Sequence, residues 1–266
     1  MRIKCLACEA LARVVYVCAA HSPHIVDVEL FRIGLHREPA ELRARLQARI
    51  DAANQESEVP GDGSAAQPYN AVAMVYGLCG QSTAGLTARD VPLVIPRAHD
   101  CITLFLGDRE RYGEAFREHP GTYWYALDYV ERNAGSSTAL GADADAQVQD
   151  VYREYVARYG KDNADYLMEV MGAWQQHYNR AAFIEMGVGD SARVEAHART
   201  LAERRAWRFD RVEGNLVLIK RLLDGEWASG ADARGADAGG DFLVVPPGHQ
   251  VRMTYDADVI GLAPAR

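Results

Sequence analysis

"YNAVAMVYGLCGQSTAGL", residues Tyr69–Leu86, decides the fold. Its apolar run from Ala71 to Tyr76 holds no charged or polar break. A loop-like stretch, "SEVPGDGSAAQP" (57–68), precedes it, and a glycine turn follows. An uninterrupted apolar run between turn signals suits a strand buried on both faces. Strands of that kind belong to parallel sheets, and parallel sheets need helices over them. "VPLVIP" (Val91–Pro96) is a second such run.

The flanking segments supply those helices. "RIKCLAC" (Arg2–Cys8) reads as a short strand, followed by a helical pattern through Leu11, Val14, Val15 and Cys18. "HIVDVELF" (His24–Phe31) alternates as a strand does. "REPAELRARLQARIDAA" (Arg37–Ala53) is a helix with Pro39 in its first turn and Leu42, Leu46 and Ile50 on one face. "CITLFLGDRERYGEAFREH" (Cys101–His119) reads as one helix, and "TYWYALDYV" (Thr122–Val130) as extended chain. Residues 162–180 predict a helix with one apolar face. "AAFIEMGVGD" (Ala181–Asp190) predicts a strand ending in glycines, and "ARVEAHARTLAERRAW" (Ala192–Trp207) a helix. "NLVLIKRLLDG" is a helix with Asn215 as N-cap and Gly225 as stop. "DFLVVPPG" (Asp241–Gly248) is a buried strand.

The expected fold is therefore α/β: two Rossmann-like parallel-sheet lobes with helices on both faces. The boundaries fall at 1–133 and 148–266, with a small, polar, acidic linker over 134–147. A low-complexity, flexible insertion covers 229–240.

Composition narrows the function. The chain has 266 residues, 48% of them hydrophobic, enough for one large core or two small ones. A net charge of -8 disfavours a phosphate-tracking surface, so nucleic acid is not an expected partner. No run approaches the roughly 20 apolar residues of a membrane span. The first 23 residues carry Glu9 and Arg13 inside their apolar stretch, which argues against a signal peptide. The expected location is the cytoplasm. Five cysteines, an odd number, argue against a disulfide framework there and leave core thiols, reactive thiols and metal ligands.

Ligands of open parallel sheets bind beyond the carboxyl ends of the strands. Cys8, Cys79 and Cys101 each follow a predicted strand, so one sheet edge would gather all three. Three thiolates suit zinc, a softer metal, or an iron–sulfur cluster with one open iron. His99, two residues before Cys101, is the expected fourth ligand or proton donor. Glu9 and Asp100 would transfer protons, or cap the helices that follow them. Gly77, Gly80, Ser82 and Thr83 form the turn that would cradle a bound group, and Arg97 suits an anionic group or an acidic partner. Cys5 should point away from Cys8, and Cys18 lies on a helix; both read as core thiols. His24 and His36 flank the second strand as surface or capping residues.

Other motifs are weaker. "GLCGQSTAGL" lacks the lysine of a P-loop and is no dinucleotide fingerprint. "CLAC" lies within a strand rather than opening a helix, so it does not read as a redox pair. Glu185, Asp190 and His249 lie near strand ends, where turn chemistry explains them better than a cleft would.

Together, "ACE" (Ala7–Glu9), "VDVEL" (Val26–Leu30), "GLH" (Gly34–His36), "YGLCG" (Tyr76–Gly80), "PLVIPRAHDCITLFLGDRERY" (Pro92–Tyr112), "HPGTYWY" (His119–Tyr125), the stretch 159–174 and "FLVVPPG" (Phe242–Gly248) resemble a known family. It is the domain of unknown function 1638. The resemblance implies an association with corrinoid-dependent methyltransferases, and hence with methyl transfer or corrinoid handling. Cys8, Cys79, His99 and Cys101 lie in its blocks.

Three functions follow as expectations. The first is a metal- or iron–sulfur-dependent enzyme acting on a small molecule through Cys8, Cys79, Cys101 and His99. The second is a non-catalytic accessory protein that carries a metal or a corrinoid for a methyltransferase partner. The cobalt-ligating signature D-x-H-x-x-G is absent from the sequence, which makes the corrinoid the weaker cofactor reading. The third is a metal-free enzyme with Cys79 as nucleophile and His99 as base.

Overall fold

The computed structural model describes residues 1–55, 67–132, 156, 160–161, 178–227 and 240–265. The expected linker 134–147, nearly all of the helix over 162–180 and of the insertion 229–240, and most of the loop 57–68 lie outside the described residues.

The chain is mixed α/β with parallel sheets, in two compact units. One is Met1–Tyr112 with Asn215–Arg266; the other is Gly113–Gly214. This division departs from the expected lobes 1–133 and 148–266, and sheet pairing is the reason. The first sheet contains β1 (Arg2–Cys8), β2 (Ile25–Phe31), β3 (Ala71–Val75) and β4 (Leu93–Pro96). It also contains a strand from the far end of the chain, numbered β8 (Phe242–Val245) below. The order is β2-β1-β3-β4-β8. The first four strands are parallel; the last runs antiparallel to β4, with Leu93 opposite Val245. Composition identified a buried strand near the C-terminus but held no signal for which sheet it joins.

Alternation along the strands splits two layers. Leu6, Val72, Met74, Tyr76, Leu93 and Ile95 share one core with Leu42, Leu46 and Ile50 of helix α2 (Pro39–Gln55). Val251 and Ile260 of the final hairpin close that layer. The hairpin strands are numbered β9 (His249–Met253) and β10 (Ile260–Pro264). Ile3, Cys5 and Ala7 are buried on the opposite side of β1, the side of helix α1 (Ala12–His21). Cys5 thus does turn away from Cys8, and Cys18 of α1 is buried.

The helix expected over 101–119 is two: α3 (Cys101–Leu106) and α4 (Arg109–Glu118). Gly107 divides them. It adopts φ 72°, and a Cβ there would lie 2.7 Å from the Asn215 carbonyl oxygen. The polar sequence continued the helical pattern, so this stop was visible only as one glycine.

In the second unit, β5 (Thr122–Ala126), β6 (Arg180–Glu185) and β7 (Arg208–Glu213) form a parallel sheet in that order. The expected extended run 122–130 turns into a short helix, α5 (Leu127–Glu131), after Ala126. Helix α6 (Ala192–Arg204) packs Val194, Ala198 and Leu201 against Tyr123, Tyr125 and Phe183. A last helix, α7 (Val217–Leu223), belongs to the first unit. Asn215 accepts from the Val217 N–H at its start, and Gly225 has φ 76° just past its end. No helix among the described residues is long and apolar enough to cross a membrane.

Glu185 ends β6 and accepts from the Gly187 N–H (2.8 Å), from Ser191 and from Arg211 (3.2 Å). Burial pushes its pKa up, but these bonds outweigh it and hold the carboxyl below its ordinary value. Asp210, between Arg180 and Arg208, is likewise held low against burial. Asp190 accepts from the Ala192 N–H, 3.2 Å away. These bonds are the turn chemistry that the sequence offers for Glu185 and Asp190.

A depressed folded pKa contributes stability above the unfolded carboxylate value, and that stability is lost as pH falls through the folded one. Stability in urea should therefore drop below about pH 4, the unfolded carboxylate range. The double variant Glu185→Gln/Asp210→Asn should flatten that acid limb, as read by unfolding curves between about pH 6 and about pH 3.

Candidate functional site

Strands β1, β3 and β4 are parallel, so they end on one edge of the sheet. The chain passes from β2 across β1 to reach β3, which makes the β1/β3 junction a switch in strand order. Ligands of open α/β sheets bind outside such a junction, because the loops on either side diverge there. Cys8 is the last residue of β1. Cys79 lies four residues past β3, and Cys101 opens α3 after β4.

Four loops meet at this edge. The Leu78 N–H donates to the Ala98 carbonyl (2.8 Å) and the Cys79 N–H to the His99 carbonyl (2.9 Å). This stitching leaves no room beside Gly77: a Cβ there would lie 2.7 Å from the Asp100 nitrogen and 2.9 Å from the Ala98 oxygen. The loop after β2 joins through the Ile33 N–H, which donates to Glu9 Oε2 (3.3 Å). The His36 carbonyl oxygen would lie 3.6 Å from a Cβ on Gly80.

The thiol loop is conformationally unusual. Cys79, Gly80 and Gln81 have φ of 46°, 63° and 73°, three left-handed residues in succession, two of them not glycine. Each such non-glycine residue costs about 1 kcal/mol or more, and the surroundings must hold it. Ser82 donates to the Cys79 carbonyl (2.7 Å) and Thr83 to the Gly77 carbonyl (3.2 Å). Arg43 donates to the Gln81 carbonyl (2.7 Å). The buried hydroxyls of Ser82 and Thr83, expected in a cradle for a bound group, hold the loop's own backbone instead.

The three thiols are electrostatic neighbours. Burial pushes the Cys79 thiol up to about 12, and Cys8 and then Asp100 add to the shift. Cys8 rises to about 11, chiefly through burial, with an opposing hydrogen bond from the Ala10 backbone and a further push from Glu9. Cys101 is raised well above its ordinary value by burial, then by Asp100, Cys79 and Cys8. Burial thus disfavours the thiolate form of all three, Cys79 and Cys101 most. They do not form a closed ligand sphere: among the described residues, no three His, Cys, Asp or Glu side chains are grouped to hold a metal.

Asp100 is the N-cap of α3. Its Oδ1 accepts from the Ile102 N–H (2.9 Å) and the Thr103 N–H (3.4 Å), and its Oδ2 from the Tyr112 hydroxyl (3.0 Å). Burial outweighs these bonds and raises its pKa. The capping alternative for Asp100 therefore describes its bonds. Arg97 is almost fully buried and donates to the Ile260 carbonyl, with Asp258 Oδ2 3.8 Å away. It takes the acidic-partner alternative and ties β4 to the final hairpin. His99 is exposed, and its ring centroid lies 6.2 Å from that of Tyr112. His249 bonds the Pro247 carbonyl, 3.2 Å away.

Two residues beside these loops were assigned elsewhere by the sequence, Tyr76 to the core and His36 to a surface or capping role. Tyr76 is buried, and its pKa is raised by burial, then by Cys8, Cys79 and Glu9. At the end of an apolar run it read as core. His36 is half-buried, and burial followed by Arg37 lowers its pKa against the pull of Asp100. Its "GLH" context marked it only through family resemblance.

The "IPRAHDC" turn and the Cys79 loop lie within a match over residues 30–223 to the family described as protein of unknown function (DUF1638). The chain belongs to the DUF1638 family. The DUF1638 match takes in His36, Tyr76, Cys79 and the turn His99–Cys101. Cys8 and Glu9 precede it, and β8 and the final hairpin follow it. No curated protein and no solved structure matches the chain.

Proposed function

We propose that the carboxyl edge of the first unit holds a thiophilic metal centre, either a zinc-type ion or an iron–sulfur cluster. Cys8, Cys79 and Cys101 would be its ligands. The observation that supports this reading is that three half-buried cysteines stand at or just past the ends of the parallel strands β1, β3 and β4, around one strand-order junction. The order β2-β1-β3-β4 also supports a Rossmann-like reading of this unit, with its ligand outside β1 and β3. The donor set fits the metal in kind, since soft sulfur ligands select such ions. A cation bound there would release the thiol protons, so metal affinity should rise with pH.

When bound, the metal would supply Lewis acidity at an open position, where a small sulfur-, methyl- or hydroxyl-bearing substrate binds. The chain's own groups shape that position. Asp100 fixes the start of α3 and so the place of Cys101. Gly77 lets the Cys79 loop lie directly on the His99–Cys101 turn. Tyr76 and Glu9 line the side near Cys8. Methyl transfer is the reaction class implied by the family resemblance.

A metal-free nucleophile is the less favoured reading, because it needs a thiolate near neutral pH. A rise from 9.0 to about 12 leaves Cys79 with on the order of a hundredfold to a thousandfold less thiolate than an ordinary cysteine at pH 8. Iodoacetamide on chelator-treated native protein should therefore label Cys79 far more slowly than on the unfolded chain. Added zinc should suppress the residual labelling of Cys8, Cys79 and Cys101 together. Rapid labelling of Cys79 that zinc leaves unchanged would replace the metal reading with the nucleophile.

A further inference from the structure

We infer that Arg97 and Arg109 form an anion subsite at the carboxyl end of β4, and that Asp258 of the final hairpin is its internal stopper, displaced when the phosphate group of a small molecule binds. The inference goes beyond the metal reading and rests on none of the thiols. Arg97 directly follows β4, at the edge where ligands of such sheets bind. Its backbone N–H donates to the Asp241 carbonyl (2.8 Å) and its guanidinium to the Ile260 carbonyl, so this buried cation is held at both ends. Arg109 opens α4 and reaches the same hairpin, donating to the Ala257 carbonyl (3.3 Å).

The two guanidiniums meet at one carboxylate. Asp258 Oδ2 lies 3.8 Å from Arg97 Nη1, and Asp258 Oδ1 lies 3.7 Å from Arg109 Nη1. Charge-assisted N–H···O bonds run about 2.7–2.9 Å, so the carboxylate stands between the guanidiniums at ion-pair range, beyond a direct bond to either. The turn that carries it is strained. Val259, next in the chain, is buried at φ 65°, a left-handed conformation that a β-branched residue keeps only when its surroundings impose it. Bonds within the turn impose it. The Thr254 N–H donates to the Val259 carbonyl (2.9 Å) and the Val259 N–H to the Asp256 carbonyl (3.2 Å). The Asp256 carboxylate accepts from the Thr254 hydroxyl (2.8 Å) and the Asp258 N–H (3.0 Å). These bonds do not use the Asp258 side chain, which is 31% exposed, so it can turn to solvent while the turn stays folded. A phosphate presents three oxygens around one centre and carries about two negative charges, so it can bond both guanidiniums at once where the tethered carboxylate bonds neither.

The test titrates full-length protein with inorganic phosphate in a calorimeter at constant ionic strength. Asp258→Asn keeps the size of the side chain and removes its charge, so the internal competitor is lost. Phosphate should bind this variant at least about tenfold more tightly than wild type, since an occupied site lowers apparent affinity by the fraction that is open. Asp258→Ala should behave alike, and adding Arg109→Gln to Asp258→Asn should abolish the gain. Succinate, a carboxylate probe, should bind Asp258→Asn more weakly than phosphate does. Equal phosphate affinity in wild type and both Asp258 variants, or a gain that survives Arg109→Gln, would reduce the three side chains to a structural ion pair and overturn the inference. Tighter binding of succinate than of phosphate would overturn the ligand class. If the Asp258 variants fail to fold, thermal melting of the native sequence decides: phosphate should raise the Tm of wild type and leave that of Arg109→Gln unchanged, and equal shifts in the two would overturn the subsite.

Discussion

Gly77→Ala should destabilise the protein by about 3 kcal/mol, the upper end of overpacking costs. The added Cβ would sit 2.7, 2.8 and 2.9 Å from the Asp100 nitrogen, the Asp100 Cα and the Ala98 oxygen. All three are backbone atoms, so no flexible side chain can swing aside. Relief requires parting the loops after β3 and β4, which breaks the bonds from Leu78 to Ala98 and from Cys79 to His99. Gly113→Ala is the matching control. Its Cβ would meet only the end of Arg117 at 3.4 Å, inside helix α4, where alanine is favoured over glycine by about 1 kcal/mol. Urea unfolding of the two variants should give shifts of opposite sign. A Gly77→Ala protein as stable as wild type would mean that the two loops are not stitched as described.

The second large effect concerns metal affinity. Cys79→Ser keeps the size of the side chain and replaces a soft ligand with a hard, weakly coordinating hydroxyl. Zinc affinity, measured by competition with a chromophoric chelator, should fall by at least a hundredfold, with Cys101→Ser behaving alike. Cys18→Ser is the contrast. Cys18 is buried on α1 and neighbours Cys5 instead. Its replacement should lower stability and leave zinc affinity alone. Equal affinity in all three variants would detach the thiols from any shared site.

The sequence made the first sheet legible because β3 and β4 are short apolar runs beside glycine or proline, while β2 alternates apolar and acidic residues. Strands β1 to β4 fall where the sequence pattern placed them, and the parallel order of β1, β3 and β4 puts the segments that follow them on one edge of the sheet. The fate of β8 was not legible. An apolar strand carries no mark of its partner, and the antiparallel pairing with β4 depends on where the chain returns. At the site, residue type was legible but bonding was not. Ser82, Thr83 and Arg97 are polar groups at a candidate cradle, yet each faces backbone or a carboxylate within the fold. Asp100 followed its capping alternative because a carboxylate before a helix finds free N–H groups nearby. His36 and Tyr76 were missed because a histidine in a polar loop and a tyrosine in an apolar run show nothing of the neighbours that folding brings.

Elemental analysis and the absorption spectrum of anaerobically purified, full-length protein test the central claim most directly. A thiophilic centre at Cys8, Cys79 and Cys101 predicts about one zinc-type ion, or one iron–sulfur cluster, per chain, retained through gel filtration and lost in the Cys79→Ser variant. Less than about a tenth of a metal per chain, with no metal taken up on anaerobic reconstitution, would contradict it.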